Sequence, residues 1–190
     1  MRSALRDRPI AIIDTETTGF KVGVHEIIEI AIMKIQGNER DMWTAKIKPE
    51  RIETASSKAL EINGYDPELW QDAIPMRDAA NTIRKRLAGC VLIGHNLEFD
   101  LGFIVDALRA NGGRGLGFHY KIDTMALAYE HLAGLGLNSL SLENVCNYLG
   151  ISNEGAHGAE VDVLRTYDVY SRLSRSSFFH RLFWRLRAES

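Results

Sequence analysis

The sequence predicts an α/β or α+β domain, a β-sheet with helices packed against it. Three features point there. Three strand-like segments come first, joined by tight connections. Helical and strand-like segments then alternate to residue 173. No repeat, linker or low-complexity stretch interrupts them.

Residues 9–14 (PIAIID) form a short apolar run, the mark of a buried strand. Residues 26–35 (EIIEIAIMKI) alternate and are rich in isoleucine, which reads as a second strand. Gln36-Gly37-Asn38 is a turn, and residues 41–48 return as a third strand. Ser56 or Ser57 can cap a short helix ending at Asn63-Gly64. Pro75 opens a longer helix through Leu87. Residues 91–94 (VLIG) are a buried strand, and 99–110 a helix stopped by Asn111-Gly112-Gly113. Residues 120–122 fit a short strand before a helix over 124–131. Ser139 or Ser141 caps a helix to Leu149, with Gly150 just past its end. Residues 159–173 form the last helix.

The 190 residues suit one domain, with a core over about 9–173. No apolar run approaches the ~18 residues of a membrane span. Residues 1–9 are charged and lack the apolar centre of a signal peptide, so an intracellular, cytoplasmic location is expected. Cys90 and Cys146 are too few for a disulfide framework and read as reduced core residues. A net charge of −2 argues against a polyanion binder with a broad basic field. It leaves room for an acidic site in which bound cations meet phosphate.

Three motifs carry chemistry. In Asp14-Thr15-Glu16-Thr17-Thr18-Gly19, Asp14 and Glu16 are two apart on a strand and face one side. Paired carboxylates there suit hard divalent cations. His95-Asn96-Leu97-Glu98-Phe99-Asp100 follows a buried strand and opens a helix, with Asn96 a plausible cap. In His157-Gly158-Ala159-Glu160-Val161-Asp162, a regular helix would set His157 about 140° from Asp162. The two can share a site only if His157 lies on the loop entering the helix.

The ordered set Asp14, Glu16, Asp100, His157 and Asp162 resembles the DEDDh (DnaQ-like) 3′→5′ exonuclease family. Lys48-Pro49, residues 59–64 (ALEING) and 137–140 (LNSL) add likeness to the proofreading exonuclease subunit of bacterial replicative DNA polymerases. The resemblance runs over residues 9–173. It implies an α/β, ribonuclease-H-like fold, a mixed five-stranded sheet flanked by helices. It also implies two divalent ions, Mg²⁺ or Mn²⁺, on Asp14, Glu16, Asp100 and Asp162, with His157 as general base. Such a pair of ions activates a water for attack on the terminal phosphorus and stabilises the leaving 3′ oxygen.

By the same resemblance, Thr15, Thr17, Thr18, Gly19 and Phe20 surround the terminal nucleotide, and Ala59 and Ile62 press on its base. Asn96 and Phe99 position the sugar-phosphate and wedge the penultimate base. Asn63 stands where many relatives have a histidine that touches the nucleotide.

The implied substrate is a nucleic-acid 3′ end, single-stranded or frayed DNA in a proofreading or repair setting. The alternative is RNA, as for RNase T and oligoribonuclease. A reading of another class is an idle module that binds nucleic acid or a polymerase. Residues 174–190 interleave Phe178, Phe179, Leu182, Phe183 and Trp184 with four arginines. This amphipathic segment packs on its own domain or meets a polymerase, a second copy or nucleic acid. No membrane partner is expected.

Overall fold

A computed structural model describes residues 7–113, 115–155 and 158–174. His157 and the segment 175–190 lie outside them. Six strands form one mixed sheet in the order β4-β3-β2-β1-β5-β6. They are β1 (Ile10–Thr17), β2 (Ile27–Gln36), β3 (Glu39–Lys48), β4 (Ile74–Pro75), β5 (Val91–Gly94) and β6 (Tyr120–Asp123). β1, β2 and β3 form an antiparallel meander, whereas β5 runs parallel to β1 and β6 parallel to β5. The expected five strands are present. The sixth, β4, is a two-residue edge strand paired with Ile47 and Lys48. Its proline cannot donate to a ladder and so belongs at an edge.

The helices are α1 (Ser57–Ile62), α2 (Met76–Leu87), α3 (Leu97–Ala110), α4 (Thr124–Leu132), α5 (Leu142–Leu149) and α6 (Ala159–Ser174). β1 is covered on both faces, which explains its unbroken apolar run. Ala11 and Ile13 pack with Ile83 and Leu87 of α2 and with Leu101 and Ile104 of α3. Ile12 points the other way, against Ala159 and Val163 of α6. Each fully buried isoleucine here contributes about 1.5–3 kcal/mol. A third cluster joins Ala128, Val145, Cys146 and Val169, tying α4 and α5 to α6. Cys90 and Cys146 are both buried and free.

Two expected caps do not form. Ser56 makes no side-chain cap on α1; its backbone N–H instead donates to the Thr18 carbonyl at 2.8 Å. Asn96 makes none on α3; its backbone is left-handed (φ 65°, ψ 45°), not the extended conformation usual at an N-cap. Ser141 does cap α5, accepting from Asn144 N–H, and Gly150 closes that helix with φ 69°. Among the described residues, no helix is long and apolar enough to cross a membrane.

Candidate active site

The site is built where β1 ends. Asp14 and Glu16 share the β1 face that looks toward α6, as period-two alternation demands. Asp162, in the first turn of α6, meets them there. Carboxylate oxygens of Asp14, Glu16 and Asp162 lie within 4.8 Å of one another. A bulge helps to aim this end of β1. Glu16 faces Glu29 and Thr17 faces Ile27, so Ile28 is the extra residue, and its carbonyl accepts from Trp70 Nε1 at 2.9 Å.

Asp100 arrives from the other side, in the first turn of α3. It is buried, and its Oδ1 accepts from Thr15 Oγ1 at 2.7 Å. Burial, followed by the charges of Asp100, Glu16 and Asp162, pushes Asp14 well above the usual carboxylate range. Glu16 is pushed up to about 7, by burial first and then by Asp162, Glu29 and Asp100. Asp100 is also raised to about 7 by burial, against the opposing bond from Thr15. Crowded carboxylates held above their ordinary range are what a hard cation relieves. Among the described residues, the donor set of carboxylate oxygens therefore fits a divalent metal.

Three contributors were not read from the sequence. Asp123, at the end of β6, accepts from Asn96 N–H (3.1 Å), Leu97 N–H (3.0 Å) and Met125 N–H (2.9 Å). It caps α3 and α4 together and so sets the helix that presents Asp100. His95 is structural: its ring bonds Thr124 Oγ1 at 2.9 Å and the Leu140 carbonyl at 2.7 Å, and burial lowers its pKa. Glu29 adds a further acid beside Glu16, itself raised by burial.

The residues expected around a nucleotide fall into two groups. Phe20 is 76% exposed and leans toward Phe99, with ring centroids 6.2 Å apart. Ile62 and Asn96 are exposed, and Ala59 is buried. Gly19 is required by close approach, since a Cβ there would sit 2.6 Å from the His25 ring.

Thr17, Thr18 and Asn63 instead build the turn. Thr17 Oγ1 donates to the Gly19 carbonyl at 2.8 Å, and Asn63 Nδ2 donates to the Thr17 carbonyl at 2.9 Å. Thr18 is fully buried; its N–H donates to the Glu26 carbonyl and its Oγ1 accepts from Glu26 N–H. Its carbonyl also accepts from Ser56 N–H at 2.8 Å, so these bonds of Thr18 hold the turn in place.

Residues 11–170 match the RNase T family, described as exonuclease. The chain belongs to this family: it is a DnaQ-like 3′→5′ exonuclease domain. The family is divalent-metal dependent, in keeping with the acidic cluster.

The chain is 33% identical over 174 residues to a PolC-type DNA polymerase III of Thermotoga maritima, covering 90% of this chain but 12% of that protein. It is 28% identical over 184 residues to ribonuclease T of Shewanella frigidimarina, covering 84% of this chain and 79% of the relative. Among solved structures it is similar to E. coli exonuclease I in complex with a dT13 oligonucleotide. That match has a TM-score of 0.74 and 18% identity, and covers 92% of this chain and 42% of the other. At that identity the likeness is one of fold, and it agrees with the α/β, ribonuclease-H-like architecture.

Proposed function

We propose that this domain shortens single-stranded or frayed DNA from its 3′ end, releasing nucleoside 5′-monophosphates. The observation that carries the reading is the meeting of Asp14, Glu16 and Asp162 within 4.8 Å, with buried Asp100 beside them. Asp14, Glu16 and Asp162 would hold one divalent ion, and Asp14 with Asp100 a second, Mg²⁺ or Mn²⁺. When bound, such a pair supplies a Lewis acid for the attacking water and another for the leaving 3′ oxygen.

The chain's own residues do the rest. His157 takes the proton of the attacking water, a task suited to an imidazole with an ordinary pKa of about 6.5. Exposed Phe20 and half-buried Phe99 offer aromatic faces for the last two bases, a contact that accepts any sequence. The turn 17–19, pinned by Asn63 and Glu26, presents its backbone to the terminal nucleotide. Residues 174–190 are the stretch through which a polymerase or a second copy would be met.

RNA is the second reading, favoured by the ribonuclease T relatives, most of whose length the chain spans. One experiment separates them: matched 5′-labelled DNA and RNA oligonucleotides, with Mg²⁺ or EDTA, and Asp14→Ala as control. A one-nucleotide ladder that needs metal and vanishes in the variant supports the mechanism, and the faster ladder names the substrate. Binding in Mg²⁺ with no shortening of either would leave an idle binding module.

A further inference from the structure

Arg165 lies one turn beyond Asp162 on α6 and is buried, with 5% of its surface exposed. Its Nη1 donates to Oδ1 of Asp162 at 2.5 Å. Its Nη2 donates to Oδ1 of Asn153. Asn153 in turn donates to Oδ1 of Asn147 at 2.6 Å and to the Glu143 carbonyl at 3.2 Å, both on α5. One guanidinium thus joins a site carboxylate, the connection between α5 and α6, and α5 itself. Asn153 also stands four residues ahead of His157 in the chain.

A buried arginine beside a metal site has two effects of opposite sign. Its charge repels an incoming cation, so removing it would tighten metal binding. Its planar fork fixes the carboxylate it holds, so removing it would loosen the ligand. The two-ended geometry, with one nitrogen on Asp162 and the other anchored through Asn153, favours the second effect.

We propose that Arg165 is a positioning residue for metal binding, orienting Asp162 and coupling it to the chain segment that leads to His157. The proposal rests on the metal reading above. It assigns the pair Arg165 and Asn153 a part in affinity for the ion rather than for the nucleic acid.

The test compares wild type with Arg165→Lys, Arg165→Met and Asn153→Ala. Mn²⁺ uptake is measured by calorimetry without nucleic acid, kcat and KM on a labelled oligonucleotide, and Tm in EDTA. Arg165→Met should weaken Mn²⁺ binding roughly 10–100-fold and lower kcat to match, with KM for the oligonucleotide unchanged. Arg165→Lys keeps the charge but not the fork and should still lose about tenfold. Asn153→Ala keeps the ion pair but frees its far end, and should fall between wild type and Arg165→Lys.

Unchanged or tighter Mn²⁺ binding in the Arg165 variants would overturn the proposal, as would a lower Tm with metal affinity and kcat intact. If Arg165→Met does not fold, Arg165→Lys and Asn153→Ala decide the matter by the same readouts. A wild-type protein that takes up no Mn²⁺ would overturn the metal reading and this proposal together. Wild-type uptake that the variants leave unchanged overturns this proposal alone.

Discussion

Thr15 on β1 donates its hydroxyl to Oδ1 of Asp100 on α3 at 2.7 Å, and both residues are buried. The bond joins two strands of the site's logic, since Thr15 sits between Asp14 and Glu16. A donor favours the ionised carboxylate, so this bond holds Asp100 lower than burial alone would. Thr15→Val should raise Asp100 further and move the acid limb of the pH–kcat profile upward by about one unit, roughly 1.4 kcal/mol. Thr15→Ser should restore the wild-type profile. An unmoved acid limb in Thr15→Val would mean that Asp100 need not ionise for turnover.

The metal-free protein should lose stability as pH rises. In the unfolded chain these carboxyls titrate near 3.8 for aspartate and 4.5 for glutamate. In the fold, Glu16 and Asp100 are raised to about 7 and Asp14 is raised as well. The native state therefore keeps protons that the unfolded state has released, and stability falls between about pH 4 and 7. Thermal melts in EDTA should give a lower Tm at pH 8 than at pH 5, each kcal/mol counting for roughly 2–4 °C. Mn²⁺ should raise Tm at pH 8 far more than at pH 5. Equal melts in EDTA at the two pH values would contradict the crowding of these acids.

Asp123→Ala removes three accepted N–H bonds and leaves the first turn of α3 uncapped. A loss of about 2 kcal/mol is expected, or roughly 4–8 °C in Tm. Activity should fall as well, because Asp100 rides on that turn. Asp123→Asn keeps one acceptor and should show a smaller loss of both. A full-strength Tm in Asp123→Ala would remove the cap from the account.

Asn96 holds the left-handed backbone conformation that glycine adopts without cost. Asn96→Gly should leave Tm unchanged or slightly raised. If the side chain positions the sugar-phosphate as the family resemblance implies, KM should rise about fivefold, the effect of one hydrogen bond of about 1 kcal/mol. A lower Tm with unchanged KM would assign Asn96 to the fold instead.

His157→Ala should slow cleavage by about 10²–10⁴-fold while leaving Mn²⁺ uptake nearly intact. Asp14→Ala should abolish uptake, because Asp14 serves both proposed ions. Calorimetry on the two variants, beside single-turnover rates, separates a proton acceptor from a ligand.

Much of this was legible in the residues. The isoleucine-rich alternation of β2 and the unbroken run of β1 marked central strands, since burial on one or two faces writes those patterns directly. The motif order brought Asp14, Glu16 and Asp162 to one point. What stayed hidden depends on partners far apart in sequence. Asp123 reaches back 26 and 27 residues to cap α3, so nothing near Asn96 announced that its own side chain would be excused. Asn63 finds the Thr17 carbonyl across 46 residues. β4 is too short to have a period at all.

The last acid of the site is carried by α6, the final described helix, and it is 148 residues beyond Asp14 (162 − 14). During synthesis the chain emerges from its N-terminus and its early elements can fold first. Asp14, Glu16 and Asp100 are then present without Asp162. On the proposed metal reading, a growing polypeptide would stay harmless to nearby nucleic acid until translation has passed residue 162 and α6 has settled on the sheet, and a fragment ending earlier would be born disarmed.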